Sequence, residues 1–100
     1  MAETVVFSPS LERVTGTMSY ACREWLRVPE YVREWAQWGE EQRLVFVLEW
    51  AKREEAVEEL DSWYLSGTLP AGSHELYVGL TGVVEANRPL IKPLLADDAA

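Results

Sequence analysis

The sequence predicts a mostly α-helical protein, a compact bundle of about four helices. Apolar residues recur at helical spacing (i, i+3, i+4, i+7) through most of the chain. Glycine, proline or serine lies where each of these patterns ends. A β-favouring run at Thr4–Phe7 leaves open a short N-terminal strand ahead of the helices.

Length and composition predict a single globular domain spanning residues 1–100. A chain of 100 residues, of which 48% are apolar, can bury a core without a metal or a disulfide. Five Trp, four Tyr and two Phe supply the large side chains of that core. We expect residues 1–9 and 96–100 to be frayed or extended.

Residues 11–17 are ambiguous, and Gly16 should interrupt any helix that begins there; the pattern becomes helical from Met18. The apolar face of this first helix consists of residues at i, i+3, i+4 and i+7, namely Met18, Ala21, Cys22 and Trp25. Pro29 ends this helix, since proline cannot continue a helix interior, and it suits the first turn of the next one.

The second helix is predicted between Pro29 and Gly39. Within it Tyr31, Trp35 and Trp38 recur at i, i+4 and i+7 and form one aromatic stripe. Such a stripe is usually core, but it can also line a ligand pocket or a partner interface.

The third and longest helix should run from about Glu40 to about Leu65, where Ser66-Gly67 is a good stop. In its first half, the apolar run Leu44–Leu48 points all round the axis, so we expect that half to be buried on most sides. In its second half, apolar residues share one side and acidic residues lie opposite them. The second half is therefore predicted to be amphipathic.

Residues 74–85 allow two interpretations. As a helix they follow a candidate N-cap, Ser73, and the pattern would close at Asn87 and Pro89. As a small hairpin, which would make the fold α+β, they show the alternation Leu76, Val78, Leu80 between glycines, two of which are Gly79 and Gly82. We favour the helix, because cap, period and stop agree. In a helix the two glycines could mark a close approach to a neighbour, and residues 90–95 should form a short apolar tail.

The net charge of −8 excludes several classes of partner. Direct binding to nucleic acid or to an anionic membrane needs clustered Lys and Arg, and the seven Arg and two Lys are scattered. The longest unbroken apolar run is far shorter than a membrane span, and no signal peptide is visible. A single cysteine, Cys22, cannot form an internal disulfide, so we expect a cytoplasmic protein.

The sequence offers few residues suited to catalysis or to binding a cofactor. His74 is the single histidine and Cys22 the single thiol, so a structural zinc site lacks ligands. Cys22 belongs to an apolar stripe, where cysteine usually packs. No phosphate-binding glycine motif is present. We therefore expect no enzyme activity, no catalytic residues, no metal and no cofactor.

An acidic face on the third helix is the strongest functional candidate. Residues 40–61 hold eight acids and three bases, a net charge of −5. Five of the acids form the predicted partner-binding face: Glu54, Glu55, Glu58, Glu59 and Asp61. An E-E-x-x-E-E pattern can bind Mg²⁺ when a second acidic helix faces it, but no other segment offers paired acids inside an apolar stripe. A merely solvated face is the commoner use of such a run, and a surface for a basic partner is the functional alternative.

These observations predict a small non-enzymatic interaction or regulatory protein, such as an adaptor, an inhibitor or an accessory subunit. Its partner would be a protein with a basic surface, and a homodimer is also compatible with the sequence. The rival hypothesis is a small-molecule-binding domain or small enzyme with an aromatic pocket. Its candidate lining, which would alternatively anchor a protein partner, is Tyr31, Trp35, Trp38, Trp63 and Tyr64.

Overall fold

A computed structural model describes residues 8–97 of the chain. Three long helices, α1 (Leu11–Leu26), α3 (Glu40–Leu65) and α4 (His74–Asp97), account for most of this range. A seven-residue helix, α2 (Val28–Glu34), and a 3₁₀ turn (Trp35–Gln37) connect α1 to α3. The prediction of a mostly α protein is confirmed, and no strand occurs between residues 8 and 97. The candidate strand at Thr4–Phe7 lies outside the described residues.

The three long helices run up, down and up. Glu24, near the end of α1, pairs with Arg53, and Arg13, near its start, reaches Glu59 further along α3. Helices α1 and α3 are therefore antiparallel. Tyr77 of α4 bonds to Asp61 and Arg88 to Glu54, so α4 is antiparallel to α3 and parallel to α1. Helix α1 packs against both other long helices, and α2 also contacts α4.

Helix α1 begins at Leu11, seven residues before Met18, where its apolar pattern predicts the start. The hydroxyl of Ser10 accepts a hydrogen bond from the backbone N–H of Arg13 at 3.1 Å, which caps the helix. Val14 is fully buried and joins the core from this first turn. The expected interruption at Gly16 is wrong, because a capped first turn and a buried valine outweigh the roughly 1 kcal/mol that a helical glycine costs.

Helix α3 has the predicted bounds, but its first half is packed on one side only. Phe46 and Trp50 are buried, at 7% and 2% exposure. Leu44, Val45 and Leu48 are 44%, 47% and 68% exposed. The expectation of burial on most sides is therefore wrong. Periodicity shows that a helix is apolar all round, but it does not tell how many neighbours surround it.

Helix α4 decides between the two interpretations of residues 74–85, which are helical throughout. The hairpin alternative is wrong, and so is the predicted stop, because Pro89 and Pro93 lie inside the helix. A proline in a helix interior costs about 3 kcal/mol. Ile91 and Leu94 are buried beyond it, and burying such a side chain stabilises by about 1.5–3 kcal/mol, so core packing offsets much of that cost.

The core beside α2 is a cluster of six aromatic rings. Phe46 lies at its centre, with ring centroids 4.9–5.6 Å from four other members. Trp25 and Trp50 also meet edge to face, with their ring centroids 5.0 Å apart. The cluster consists of Trp25, Tyr31, Trp35, Trp38, Phe46 and Trp50. It fixes the rotation of α3 about its own axis.

Candidate interaction surface

Two of the five predicted acids, Glu55 and Glu58, are exposed on the outer side of α3. They make no ion pair with any other described residue. Their carboxylates lie about one helical turn apart, because residues three apart on a helix are neighbours. This pair is the part of the predicted acidic face that is fully open to solvent.

Glu54 and Glu59 also lie on α3, but each meets an arginine from another helix. Arg88 of α4 donates to both carboxylate oxygens of Glu54, at 2.9 and 3.0 Å. Arg13 of α1 reaches Glu59 at 3.5 Å. Both acids therefore have a counter-charge that comes from another helix. Since each pair remains partly exposed, it contributes only about 0–1 kcal/mol, and a competing cation can replace it at little cost.

Asp61 belongs to a contact between α3 and α4 and is less open to a partner. Its carboxylate accepts a hydrogen bond from the Tyr77 hydroxyl at 2.5 Å. The ring of Tyr77 stacks on Tyr64 with centroids 4.6 Å apart. Burial raises the pKa of Tyr77, and the Asp61 carboxylate raises it further because it accepts the phenolic proton. Asp61 therefore serves the packing of the two helices.

Two of the three bases of α3 turn away from its acidic side. The Arg43 guanidinium donates to the backbone carbonyl of Trp35 at 2.8 Å. The Arg53 guanidinium bonds to Glu24 at 2.7 Å, in a pair whose side chains are 14% and 11% exposed. Lys52 alone among the bases of α3 is exposed. The outer side of the helix therefore keeps most of its negative charge, because its own arginines serve the interior.

The surface around Glu59 already binds a guanidinium. Besides its ion pair, the Arg13 guanidinium lies over the ring of Trp63, 5.5 Å from the centroid. An arginine held by a carboxylate and an aromatic face is a recurrent recognition arrangement. Sequence reasoning missed Arg13 and Arg88 as the counter-charges. Arg13 is 46 positions from Glu59, so only the pairing of the helices reveals the contact.

The five aromatic residues proposed as a pocket divide into two groups. Tyr31, Trp35 and Trp38 belong to the aromatic core, the first two buried and the third half-buried. Trp63 and Tyr64 lie at the other end of α3. Phe46, which touches the first group, is 17 residues from Trp63, about 25 Å along the helix axis. One pocket cannot include both groups.

A concavity with a different lining lies between α1 and the first turns of α4. It is an open groove of about 560 Å³ with a mainly apolar lining. Arg23 and the hydroxyls of Thr15 and Ser19 supply its polar atoms, and Leu26 and Leu76 are more than half exposed. The sequence pattern of α4 alone does not reveal that α1 forms the opposite wall.

No group of three or more His, Cys, Asp or Glu side chains in the described part of the chain is arranged to hold a metal ion. None of the described helices combines the length and apolar character needed to span a membrane. No family model, curated protein or solved structure matches the chain.

Proposed function

We propose that this protein is a non-enzymatic interaction or regulatory protein that binds a basic protein surface through the outer side of the second half of α3. Glu55 and Glu58 would meet the partner first, and Glu54 and Glu59 would join them by exchanging their own arginines. The observation that carries the proposal is the guanidinium of Arg13, held by Glu59 and Trp63. It is an internal example of how this surface receives an arginine.

Charge complementarity would act mainly on encounter and specificity. Exposed acids that their own helix does not neutralise create a negative potential that steers a basic partner and speeds association at low salt. The ring of Trp63 would supply the apolar contact that charges alone lack, in the role of the expected aromatic anchor. The exchange of one exposed ion pair for another costs little, because each is worth about 0–1 kcal/mol.

The test compares two variants with the same loss of charge. Glu55→Gln/Glu58→Gln removes two acids from the proposed surface, and Glu34→Gln/Glu75→Gln removes two exposed acids from α2 and α4. Fluorescence anisotropy with labelled octa-arginine and octa-lysine peptides measures affinity at 20 and 200 mM salt. We expect the first variant to weaken octa-arginine binding about fivefold more than its control, and high salt to weaken all binding.

Equal weakening by both variants would contradict the proposal, because it would mean that net charge alone attracts the peptide. A pull-down from cell extract extends the test to natural partners. Capture that ignores both salt and the charge reversal Glu55→Lys/Glu58→Lys would also contradict the proposal.

The groove between α1 and α4 favours a second candidate function, the binding of a small apolar molecule. Its mainly apolar lining and the guanidinium of Arg23 at its edge suit an amphiphile with an acidic head group. Ser19→Phe should fill part of the groove and weaken binding, and Ser62→Phe, on the outer side of α3, is its control. A fatty-acid panel that leaves Trp fluorescence unchanged would count against this candidate.

A further inference from the structure

An apolar strip on the outer side of the first half of α3 is covered by no described residue. It consists of Leu44, Val45 and Leu48. The strip cannot turn inward, because Phe46 and Trp50 hold the opposite side of the same helix in the aromatic core. Removing apolar side chains from water is favourable, so three adjacent exposed apolar side chains favour an occupant.

The two ends of the strip carry opposite charges. Glu41 precedes Val45 by four residues, and Lys52 follows Leu48 by four. These four positions fall at i, i+4, i+7 and i+11, so they lie on one side of the helix. Both charged side chains are exposed, and neither forms an ion pair with another described residue.

We propose that two copies of the protein pair through this strip, α3 against α3, in an antiparallel arrangement about a twofold axis between Val45 and Leu48. In this register Val45 of each copy faces Leu48 of the other. Glu41 of each copy faces Lys52 of the other. Each of these contacts therefore occurs twice, once on either side of the axis, as a twofold interface requires.

Charge selects this arrangement over its alternatives. A parallel pairing in register would place Glu41 against Glu41 and Lys52 against Lys52, which is repulsive. An antiparallel pairing centred on Leu48 would bring Glu41 opposite Glu55. The strip does not favour a basic partner, because Lys52 at one end offsets Glu41 at the other.

The surface next to the strip provides a place for the most exposed leucine. Val45, together with Trp38, Gln42, Phe46 and Glu49, lines a shallow depression of about 180 Å³. Leu48 is 68% exposed and in the dimer faces Val45, at the mouth of this depression. It would pack there as a knob into a hole. The half-buried Trp38 would then lose contact with water.

Sedimentation equilibrium between 5 and 200 µM tests the pairing, with Leu48→Glu as the disruptive variant. Leu65→Glu is the matched control, because Leu65 lies on α3 at 82% exposure but away from the strip. We expect a dimer for the wild type and the control, and a dissociation constant at least about tenfold higher for Leu48→Glu. Far-UV circular dichroism checks that each variant is folded.

Charge exchange tests the register. Glu41→Lys and Lys52→Glu should each weaken self-association, because each makes both ends of the strip alike. The double variant Glu41→Lys/Lys52→Glu should restore it, and an equal mixture of the two single variants should form a heterodimer.

A wild type that is monomeric at 200 µM would overturn the proposal and leave the strip to another protein. Equal effects of Leu48→Glu and Leu65→Glu would overturn it as well. A double charge variant no stronger than the single variants would overturn the antiparallel register. None of these outcomes depends on Glu55 or Glu58, so this proposal and the proposed binding of a basic partner can fail separately.

Discussion

The two halves of α3 differ on both of their sides. On the inner side, residues 40–53 pack against the aromatic core, whereas residues 54–65 meet the rest of the protein through Leu60 and the stacked pair Tyr64 and Tyr77. On the outer side, the first half exposes apolar side chains and the second half exposes Glu55 and Glu58. The change occurs within one uninterrupted helix.

This difference shows how a single helix can present two chemistries at a constant separation. The first half is anchored by large buried rings, so its outer strip has a defined orientation. The second half is anchored by the buried Leu60, but its ion pairs at Glu54 and Glu59 remain partly exposed. If two copies pair through the first half, their acidic surfaces lie about 30 Å apart along the helix axes. A partner with two basic sites would then bind both, with a gain from multivalency.

The largest expected effect tests whether the first half of α3 contributes more to the free energy of unfolding than the second half. Trp50→Ala removes a ring that is 2% exposed, and we expect the free energy of unfolding to fall by about 3–5 kcal/mol. Trp63→Ala removes a half-buried ring from the second half and should cost about half as much. Urea unfolding followed by circular dichroism measures both.

If Trp50→Ala does not fold, Trp50→Phe keeps most of the packing and still allows the comparison with Trp63→Phe. Equal losses for the two positions would show that the halves contribute alike, and the contrast between them would fail.

The ion pair between Glu24 and Arg53 gives the next largest effect. Arg53→Ala leaves the buried carboxylate of Glu24 without its partner, and loses the guanidinium that lies 5.6 Å from the Trp50 ring. Removing one member of a buried pair costs about 3 kcal/mol or more. Arg88→Ala breaks a more exposed pair and should cost about 1 kcal/mol. Thermal unfolding at neutral pH compares the two variants, and a larger loss for Arg88→Ala would contradict the assignment.

The bounds of α3 could be predicted because their signals are local. Gly39 stands before the helix as its N-cap, and Gly67 adopts a φ of +73° just after it. Local signals failed for α4, because the burial of Ile91 and Leu94 depends on other helices and outweighs Pro89. The sequence pattern of α4 alone does not reveal the free energy that this burial contributes.

The candidate surface was only partly predictable for the same reason. That Glu55 and Glu58 point outward follows from the period of their own helix. The pairing of Glu54 with Arg88 does not, because it joins positions 34 apart. The exposed strip at Leu44, Val45 and Leu48 was missed since an all-round apolar segment is equally consistent with a central helix and with a helix that has one open side.

A smaller effect tests the contact that holds the second half of α3 to α4. Tyr77→Phe removes the hydrogen bond to Asp61, and we expect a loss of about 1 kcal/mol at neutral pH. Tyr20→Phe, which changes a tyrosine of α1, is the matched control.

The same contact predicts a dependence on alkaline pH. Burial and the Asp61 carboxylate raise the pKa of Tyr77 in the folded state. The unfolded chain therefore loses this proton first, at a pKa of about 10. The contribution is fully present below that pH and is lost as the pH rises through the folded-state pKa. Urea unfolding between pH 8 and 11 should show a shallower decline for Tyr77→Phe than for the wild type, and parallel curves would contradict the contact.

The smallest effect concerns the outer surface of α4, where the close neighbour expected at Gly79 and Gly82 is absent from the described residues. A Cβ added at either position meets nothing within 4 Å, and neither backbone has a positive φ. Alanine should therefore stabilise the helix by up to about 1 kcal/mol at each position. Gly67→Ala is the control, since its φ of +73° should make the same substitution destabilising. Thermal unfolding at low protein concentration measures the monomer, and a loss of stability at Gly79 or Gly82 would mean that this surface packs against something after all.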